Sequence, residues 1–136
     1  MARRVTEAWV IELSSDLEGA MTQYLLLIYA EESTFAEMTP DQLSTEMGAY
    51  VAYTQDMAKA GVLVAGDELH PVATAKTVRA PGGKQKVVDG PFAETKETLG
   101  GYYLVNVENM EDALAWAAKC PGARYGSIEV RPVVMR

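Results

Sequence analysis

The sequence contains very few residues of the kinds that bind metals or form covalent cross-links. Its 136 residues include one cysteine and one histidine. A single cysteine excludes an internal disulfide, and the two residues together offer no zinc-ligand spacing. No metal or cofactor is therefore expected, although a magnesium site made only of carboxylates remains compatible with the sequence. The lack of disulfides is typical of a reducing compartment, and we expect a cytoplasmic protein.

Long apolar runs and catalytic signature motifs are missing as well. No segment reaches the roughly 20 apolar residues of a membrane helix, so no membrane span is expected. Arg3 and Arg4 resemble the start of a signal peptide, but Glu7 and Glu12 interrupt the apolar segment that would follow. Phosphate-binding glycine loops and nucleophile elbows are absent. With 136 residues, of which 49% are hydrophobic, the chain fits one globular domain.

Basic residues are scarce in the first half of the chain. Residues 1–68 hold 12 acids and 3 bases, whereas residues 69–136 hold 7 acids and 9 bases. With a net charge of −7, nucleic-acid binding is not expected, because phosphates require a basic surface. One basic run has no acid within it: Lys76, Arg79, Lys84 and Lys86. It is interpreted either as a solvated hairpin face or as the rim of an anion-binding pocket.

The remaining pattern predicts four strands, two helices and a hairpin. Strands are expected at residues 23–30, 62–65, 102–107 and 127–133, and hairpin strands at 74–80 and 84–88 around Pro81-Gly82-Gly83. Thr39 and Gln42 form a capping box for the first helix, which Gly61 ends. Asn109 caps the second helix, which ends at Pro121-Gly122.

Each predicted helix has an apolar stripe expected to face the core. The first stripe consists of Leu43, Met47, Tyr50, Val51, Thr54, Met57 and Ala58. The second consists of Met110, Ala113, Leu114, Ala117 and Cys120.

The order of elements indicates an α+β fold. Strand, helix, strand, hairpin, strand, helix and strand follow the split βαβ, ferredoxin-like plan with an inserted β-hairpin. Two helices on one face of a four-stranded sheet leave the other face bare. Because that face would expose apolar and aromatic side chains, it needs a partner, and we predict a homodimer.

Residues 1–20 stand apart from this plan as an N-terminal extension to a domain at 21–136. Their apolar residues Val5, Trp9, Leu13 and Leu17 recur every four positions, as in a short amphipathic helix. Met21 directly precedes the first strand. The extension is therefore interpreted either as dispensable to the fold or as a helix that covers an exposed patch or a dimer edge.

The segment Asp89-Gly90-Pro91-Phe92 is the strongest candidate for a functional turn. Gly90 permits unusual backbone angles, Pro91 fixes the next turn, and Phe92 is suited to anchor the turn on the body of the protein. Glu94, Lys96 and Glu97 follow at once, and such close charges shift one another's pKa values as acid–base catalysis requires. Alternatively, Asp89 only accepts turn amides and the other charges form surface pairs.

A second candidate is the loop that begins at Gly66-Asp67. Asp67 lies at a strand end beside a glycine, where a ligand can approach the backbone closely. His70 is the only imidazole available for catalysis or substrate binding, although a lone loop histidine is commonly a solvated surface group.

These motifs resemble those of the YCII-related, DGPF-type family from about Gln23 to the C-terminus. The resemblance rests on segments 66–69, 76–79, 89–97, 100–103 and 128–132. It implies a dimeric α+β barrel. Some members are proposed enzymes with a histidine–aspartate pair in a cleft, some of them acting on halogenated aromatic compounds. The histidine lies in their first helix, whereas residues 47–51 here contain none, and Asp67 matches the aspartate's loop region.

Two functional hypotheses follow. In the first, a cofactor-free enzyme acts on a small anionic or aromatic compound, with Asp67 and Asp89 as acid–base residues and Arg79 and Lys96 binding negative charge. The supporting polar residues would be Glu94, Glu97, Glu129, Arg131 and His70. In the second, the same cavity binds a ligand without turnover and the protein is an accessory factor. The resemblance implies that its partner is an extracytoplasmic-function sigma factor, contacted by the acidic first half and residues 1–20.

Overall fold

A computed structural model describes residues 21–136, so the helix expected within residues 1–20 lies outside the described part. The strands are β1 (Thr22–Ala30), β2 (Leu63–Glu68), β3 (Lys76–Arg79), β4 (Lys86–Asp89), β5 (Thr98–Val107) and β6 (Ser127–Pro132). The α-helices are α1 (Glu32–Ala36), α2 (Pro40–Lys59) and α3 (Met110–Lys119). No helix in this part of the chain is long and apolar enough to cross a membrane.

The main sheet has four antiparallel strands in the order β2-β5-β1-β6. Strands β3 and β4 form a separate two-stranded hairpin. The α+β class and the sequence of strands and long helices are as predicted, and the short helix α1 is additional. Within residues 21–136 the sheet of one chain does not close into a barrel, because β2 and β6 are edge strands.

Strands β2 and β5 are longer than predicted. Strand β5 begins at Thr98 rather than at residue 102, so it includes Gly100 and Gly101. A Cβ on Gly101 would lie 3.0 Å from the Asp67 carbonyl oxygen, so glycine permits the close pairing of the two strands here. Strand β2 likewise continues to Glu68 and carries Asp67 within the sheet.

Helix α2 begins as predicted, but its predicted buried stripe is wrong by about one position. The capping box between Thr39 and Gln42 forms in both directions. The buried residues are Glu46, Tyr53 and Met57, with Tyr50 partly buried. Met57 was predicted correctly, whereas four residues of the predicted stripe are exposed: Leu43, Met47, Val51 and Ala58. Apolar periodicity alone did not indicate this orientation of the helix, because the observed orientation buries a glutamate.

Helix α3 is closer to its prediction. Asn109 caps it by accepting a hydrogen bond from the Asp112 backbone N–H at 2.9 Å. Ala113, Ala117 and Cys120 are buried as expected. Leu114 is the exception, since half of it is exposed on the outer side of the helix.

The core lies between the helices and one face of the main sheet. Leu26, Met57, Val105 and Cys120 are its most deeply buried large side chains. The strand residues in the core alternate with residues that point to the other face. Those alternate residues are only partly buried and lie outside the core cluster: Leu25, Leu27, Tyr29, Tyr102 and Leu104. We refer to this second surface as the open face.

The hairpin stands apart from the core. Its strands pair from Lys76 opposite Asp89 to Arg79 opposite Lys86. Gly90 has a φ of 93°, which confirms the need for glycine in this turn. The expectation that Phe92 anchors the turn is wrong, because this side chain is 78% exposed. The turn is instead held by backbone, with the Gly90 N–H donating to the Ala75 carbonyl oxygen at 2.7 Å.

Candidate functional site

Polar side chains lie at both ends of one row of residues across the open face. Asp67 on β2 pairs with Tyr102 on β5, Tyr102 with Leu27 on β1, and Leu27 with Glu129 on β6. Because opposite residues share a face, these four side chains point the same way. Three strand spacings place the backbones of Asp67 and Glu129 about 14 Å apart. We call this set the polar row.

Asp67 and Tyr102 form a hydrogen-bonded pair at one end of the polar row. The Tyr102 hydroxyl donates to Asp67 Oδ2 at 3.0 Å. This hydrogen bond, with the negative charge of Asp67, raises the pKa of the Tyr102 phenol above its ordinary value. The pair therefore consists of a hydrogen-bond acceptor and a phenol that keeps its proton, side by side on an accessible surface.

Glu129 and Arg131 form an ion pair at the other end of the polar row. Arg131 donates to Glu129 Oε2 from Nη2 at 2.5 Å and from Nε at 3.2 Å. Hydrogen bonding to this carboxylate raises the pKa of the guanidinium. The Arg131 side chain is 68% exposed, and within residues 21–136 its remaining donors have no partner, so they could bind an anion.

The floor between these two pairs is apolar. Leu25 lies on the same face as Leu27, two residues earlier in β1. It is opposite Leu104 on β5 and Arg131 on β6. Leu27 lies within the row itself. An apolar floor with a few polar groups at its margins is the usual composition of a small-molecule site.

Gly66 has a role in core packing that the sequence did not indicate. A Cβ at this position would lie 2.5 Å from Tyr103 Cδ1, so the glycine makes room for the Tyr103 ring on the core side. The ring in turn packs edge-on against Tyr53, with centroids 5.4 Å apart. The glycine beside Asp67 thus has a role in core packing.

A second polar group lies at the upper edge of the sheet, where β1 and β2 end and β5 and β6 begin. Lys96 Nζ lies 3.5 Å from Glu31 Oε2, which follows β1. Glu97 Oε1 accepts a hydrogen bond from the Ser127 hydroxyl at 2.8 Å. Lys96 and Glu97 therefore connect the loop between β4 and β5 to the end of β1 and the start of β6, next to the polar row.

The other predicted site residues do not join the polar row within one chain. Asp89 pairs with Lys76 on the hairpin at 2.5 Å, and both side chains are largely exposed. Arg79 also lies on the hairpin, opposite Lys86 and on the other face from this pair. Glu94 and His70 are exposed and have no side-chain partner within residues 21–136.

Sequence reasoning missed a buried polar cluster beneath α2. Glu46 is 6% exposed and accepts from Arg124 Nη2 and the Tyr125 hydroxyl, each at 2.7 Å. Tyr50, one turn further along α2, lies with its hydroxyl 3.8 Å from Cys120 Sγ. The only signal in the sequence is a spacing of three or four residues, which places four side chains on one side of a helix: Glu46, Tyr50, Tyr53 and Met57. This pattern is visible only if the glutamate is counted with the apolar residues.

The electrostatics of this cluster indicate a structural role. Burial, followed by the neighbouring Glu46 carboxylate, raises the pKa of Tyr125. Burial likewise raises the pKa of the Tyr50 phenol and of the Cys120 thiol. These groups stay protonated near neutral pH, and Glu46 ties α2 to the short helical turn Pro121–Arg124 and to Tyr125.

Neither a metal site nor an enclosed cavity coincides with the predicted residues. In the described part of the chain, no group of three or more His, Cys, Asp or Glu is arranged to hold a metal ion. A shallow cavity of about 260 Å³ lies at the opposite end of the sheet, lined by Met21, Val107, Glu108 and Trp116 among others. The polar row is our candidate site, because it brings Asp67 and Glu129 onto one face of the sheet, next to Arg131.

Comparison with known proteins shows the family of this chain. Its described part is an α+β domain whose main antiparallel sheet has one face open. The model of the YCII-related domain matches residues 22–135, and the chain belongs to this family. A protein of Rhizobium meliloti (strain 1021), named only as uncharacterized protein R00369, is 35% identical over 114 residues, covering 82% of this chain and 92% of the relative.

Proposed function

We propose that two copies of the chain pack through their open faces and enclose a binding site for a small anionic or aromatic molecule. The polar row forms its polar margin, and Leu25, Leu27 and Leu104 form its floor. The observation that carries this proposal is the polar row together with Arg131 beside it. They combine a carboxylate–phenol pair, an exposed guanidinium and an apolar surface on one face.

The layer structure supports the dimeric part of this proposal. The strand order, with both long helices packed on one face, agrees with a ferredoxin-like plan. The apolar residues of the open face need cover, and two such sheets packed face to face would form a barrel-like pair. Polar side chains at the margin would then line an enclosed space between the copies.

The chemistry that suits this site is acid–base chemistry without a cofactor. Arg131 would hold a carboxylate or phenolate of the ligand through charge-assisted hydrogen bonds. Asp67 would accept a proton from a C–H or O–H group of the substrate, and Tyr102 would donate a hydrogen bond to the charge that develops. Lys96 and Glu97 lie beside this row and would bind polar groups at the entrance.

Benzoate is a suitable probe of the site, because it is both anionic and aromatic. In an NMR titration of the wild-type protein we expect amide shifts on the open face, around Leu27, Tyr102 and Glu129. Arg131→Gln is expected to weaken benzoate binding about tenfold, because one charge-assisted hydrogen bond contributes about 1.5–3 kcal/mol. Asp67→Asn should leave this binding intact, because it removes a base and no cation.

Glu94→Gln is the matched control, since Glu94 is an exposed carboxylate with no side-chain partner in the described residues. It should leave benzoate affinity unchanged. The proposal fails if millimolar benzoate shifts no open-face amide, or if Arg131→Gln and Glu94→Gln bind it equally well.

A further inference from the structure

The two polar ends of the open face are too far apart to hold one small ligand within a single chain. Asp67 lies on the edge strand β2 and Glu129 on the opposite edge strand β6, with β5 and β1 between them. Their backbones are therefore about 14 Å apart. Side chains stand roughly perpendicular to a sheet, so the Asp67 carboxylate and the Arg131 guanidinium do not converge. A single-ring molecule such as benzoate would reach only one of them.

Asp67 has no cation on its own side of the open face. Its side-chain partner in the described residues is the Tyr102 hydroxyl. Among the four strands of the main sheet, which all lie within residues 21–136, the only base is Arg131 on β6. Once the open face is covered, a carboxylate loses water and needs a cation or further hydrogen-bond donors nearby. Within one chain, the base that could meet this need lies at the other edge of the sheet.

Two kinds of two-fold pair bring the open faces together with their strands aligned. If the axis runs across the strands, each strand stacks on its own copy. Asp67 then meets only the β2 strand of the second copy, which contains two acids and no base. If the axis runs along the strands, between β5 and β1, each residue keeps its height and the strand order is reversed. Strand β2 of one copy then lies over β6 of the other, so Asp67 faces the Glu129–Arg131 ion pair.

The axis along the strands gives the contact an apolar centre and two polar ends. Leu25 is opposite Leu104 on the neighbouring strand, and Leu27 is opposite Tyr102. Across the contact, Leu25 of one copy would therefore lie over Leu104 of the other, and Leu27 over Tyr102. The charged residues at the edges meet oppositely charged residues, which favours this arrangement over the one that stacks β2 on itself.

We propose that each ligand site is shared between two copies, with Asp67 and Tyr102 from one chain and Arg131 from the other. This inference rests on the proposed function, because it requires the open faces to pack together. Packed sheets lie about 10 Å apart, which is closer than the two edges of one sheet. The ligand class is a short aromatic acid. Its carboxylate would bind Arg131 of one copy, and a C–H or O–H group at its other end would lie against the Asp67–Tyr102 pair.

Mixed dimers with one isotope-labelled copy test this sharing directly. Labelled Arg131→Gln chain would be refolded with an excess of unlabelled wild-type chain, and the labelled Tyr102 amide followed by NMR during a benzoate titration. It should titrate with the wild-type affinity, because the second copy supplies Arg131. In the Arg131→Gln homodimer the same amide should titrate about tenfold more weakly, because a charge-assisted hydrogen bond is lost.

The reverse mixture should give the opposite result. Labelled wild-type chain with an excess of unlabelled Arg131→Gln should show the weaker affinity at Tyr102, although its own arginine is intact. Unlabelled Glu94→Gln in the same excess is the matched control and should leave the affinity unchanged. If the Tyr102 amide follows the arginine of its own chain in both mixtures, the sharing is wrong while the benzoate site stands. If benzoate shifts no open-face amide of the wild type, the proposed function fails and the shared site fails with it.

Discussion

At the scale of single residues, Glu46 connects helix α2 to the segment that precedes the last strand. The carboxylate is buried and accepts two hydrogen bonds, from Arg124 and Tyr125, which lie about 80 residues away along the sequence. A buried carboxylate persists when donors of this kind replace its water. The contact links α2 to the turn that precedes β6.

Substituting Glu46 by alanine should therefore destabilise the protein by about 2 kcal/mol, allowing for the solvent screening of the exposed Arg124 side chain. Glu37→Ala is the control, since Glu37 is exposed and has no side-chain partner in the described residues. It should change stability by less than about 0.5 kcal/mol. Urea denaturation at pH 7 measures both. Equal effects would mean that the Glu46 contacts contribute nothing to stability.

Substitution by alanine should have opposite effects on stability at two glycines. A Cβ on Gly126 would overlap the Tyr29 carbonyl oxygen and crowd Ala30, whereas a Cβ on Gly48 would meet nothing within 4 Å. Gly126→Ala should therefore cost about 2–3 kcal/mol through steric strain. Gly48→Ala, in the middle of α2, should stabilise by about 0.5–1 kcal/mol through helix propensity. Thermal unfolding of the two variants measures these effects. Midpoint temperatures that shift in the same direction in both variants would contradict this prediction.

The buried tyrosines predict a loss of stability at alkaline pH. Burial raises the pKa of Tyr50, Tyr53 and Tyr125 in the folded protein. Their ordinary pKa in the unfolded chain is about 10. The stabilisation is therefore complete below pH about 10 and is lost as pH rises above it, because only the unfolded chain then releases these protons.

Urea denaturation of the wild type at pH 8 and pH 11 should show this fall in the free energy of unfolding. Tyr50→Phe removes one of the groups, so its fall between the two pH values should be smaller. Identical falls in the two proteins would contradict a contribution from Tyr50.

At the scale of elements, the sequence was informative wherever a signal is local. The capping box of α2, the Asn109 cap and the Pro81-Gly82-Gly83 turn all form as predicted. These features depend on residues within a few positions of one another. The same is true of the alternation in β6, which directs Ile128 and Val130 to the core and leaves Glu129 and Arg131 on the open face.

Features that depend on distant partners were not predictable. The orientation of α2 follows from Glu46, whose donors lie far along the chain, so an apolar stripe drawn through Met47 and Val51 was misplaced. The exposure of Phe92 has a similar origin, since the motif specifies its turn but not what surrounds it. Of the candidate site, the sequence suggested Asp67, Glu129 and Arg131, whereas the role of Tyr102 required the strand register.

At the scale of the whole molecule, one chain leaves three apolar surfaces without cover in residues 21–136. They are the open face, the hairpin and the side of α2 that carries Leu43, Met47 and Val51. A monomer with several such surfaces is prone to association. In the proposed dimer, the second copy would cover the open face and enclose the polar row, which a single chain presents to water.

The most direct measurement is the mass of the protein in solution, by sedimentation equilibrium at micromolar concentration. The wild type should have a mass of about 30 kDa, twice the 14.8 kDa of one chain. Leu27→Asp, which places a charge in the centre of the open face, should reduce this mass to that of the monomer, whereas Leu114→Asp on the outside of α3 should not. A wild-type protein that sediments as a monomer, or a Leu27→Asp variant that dimerises as well as the wild type, would contradict a site enclosed between two open faces.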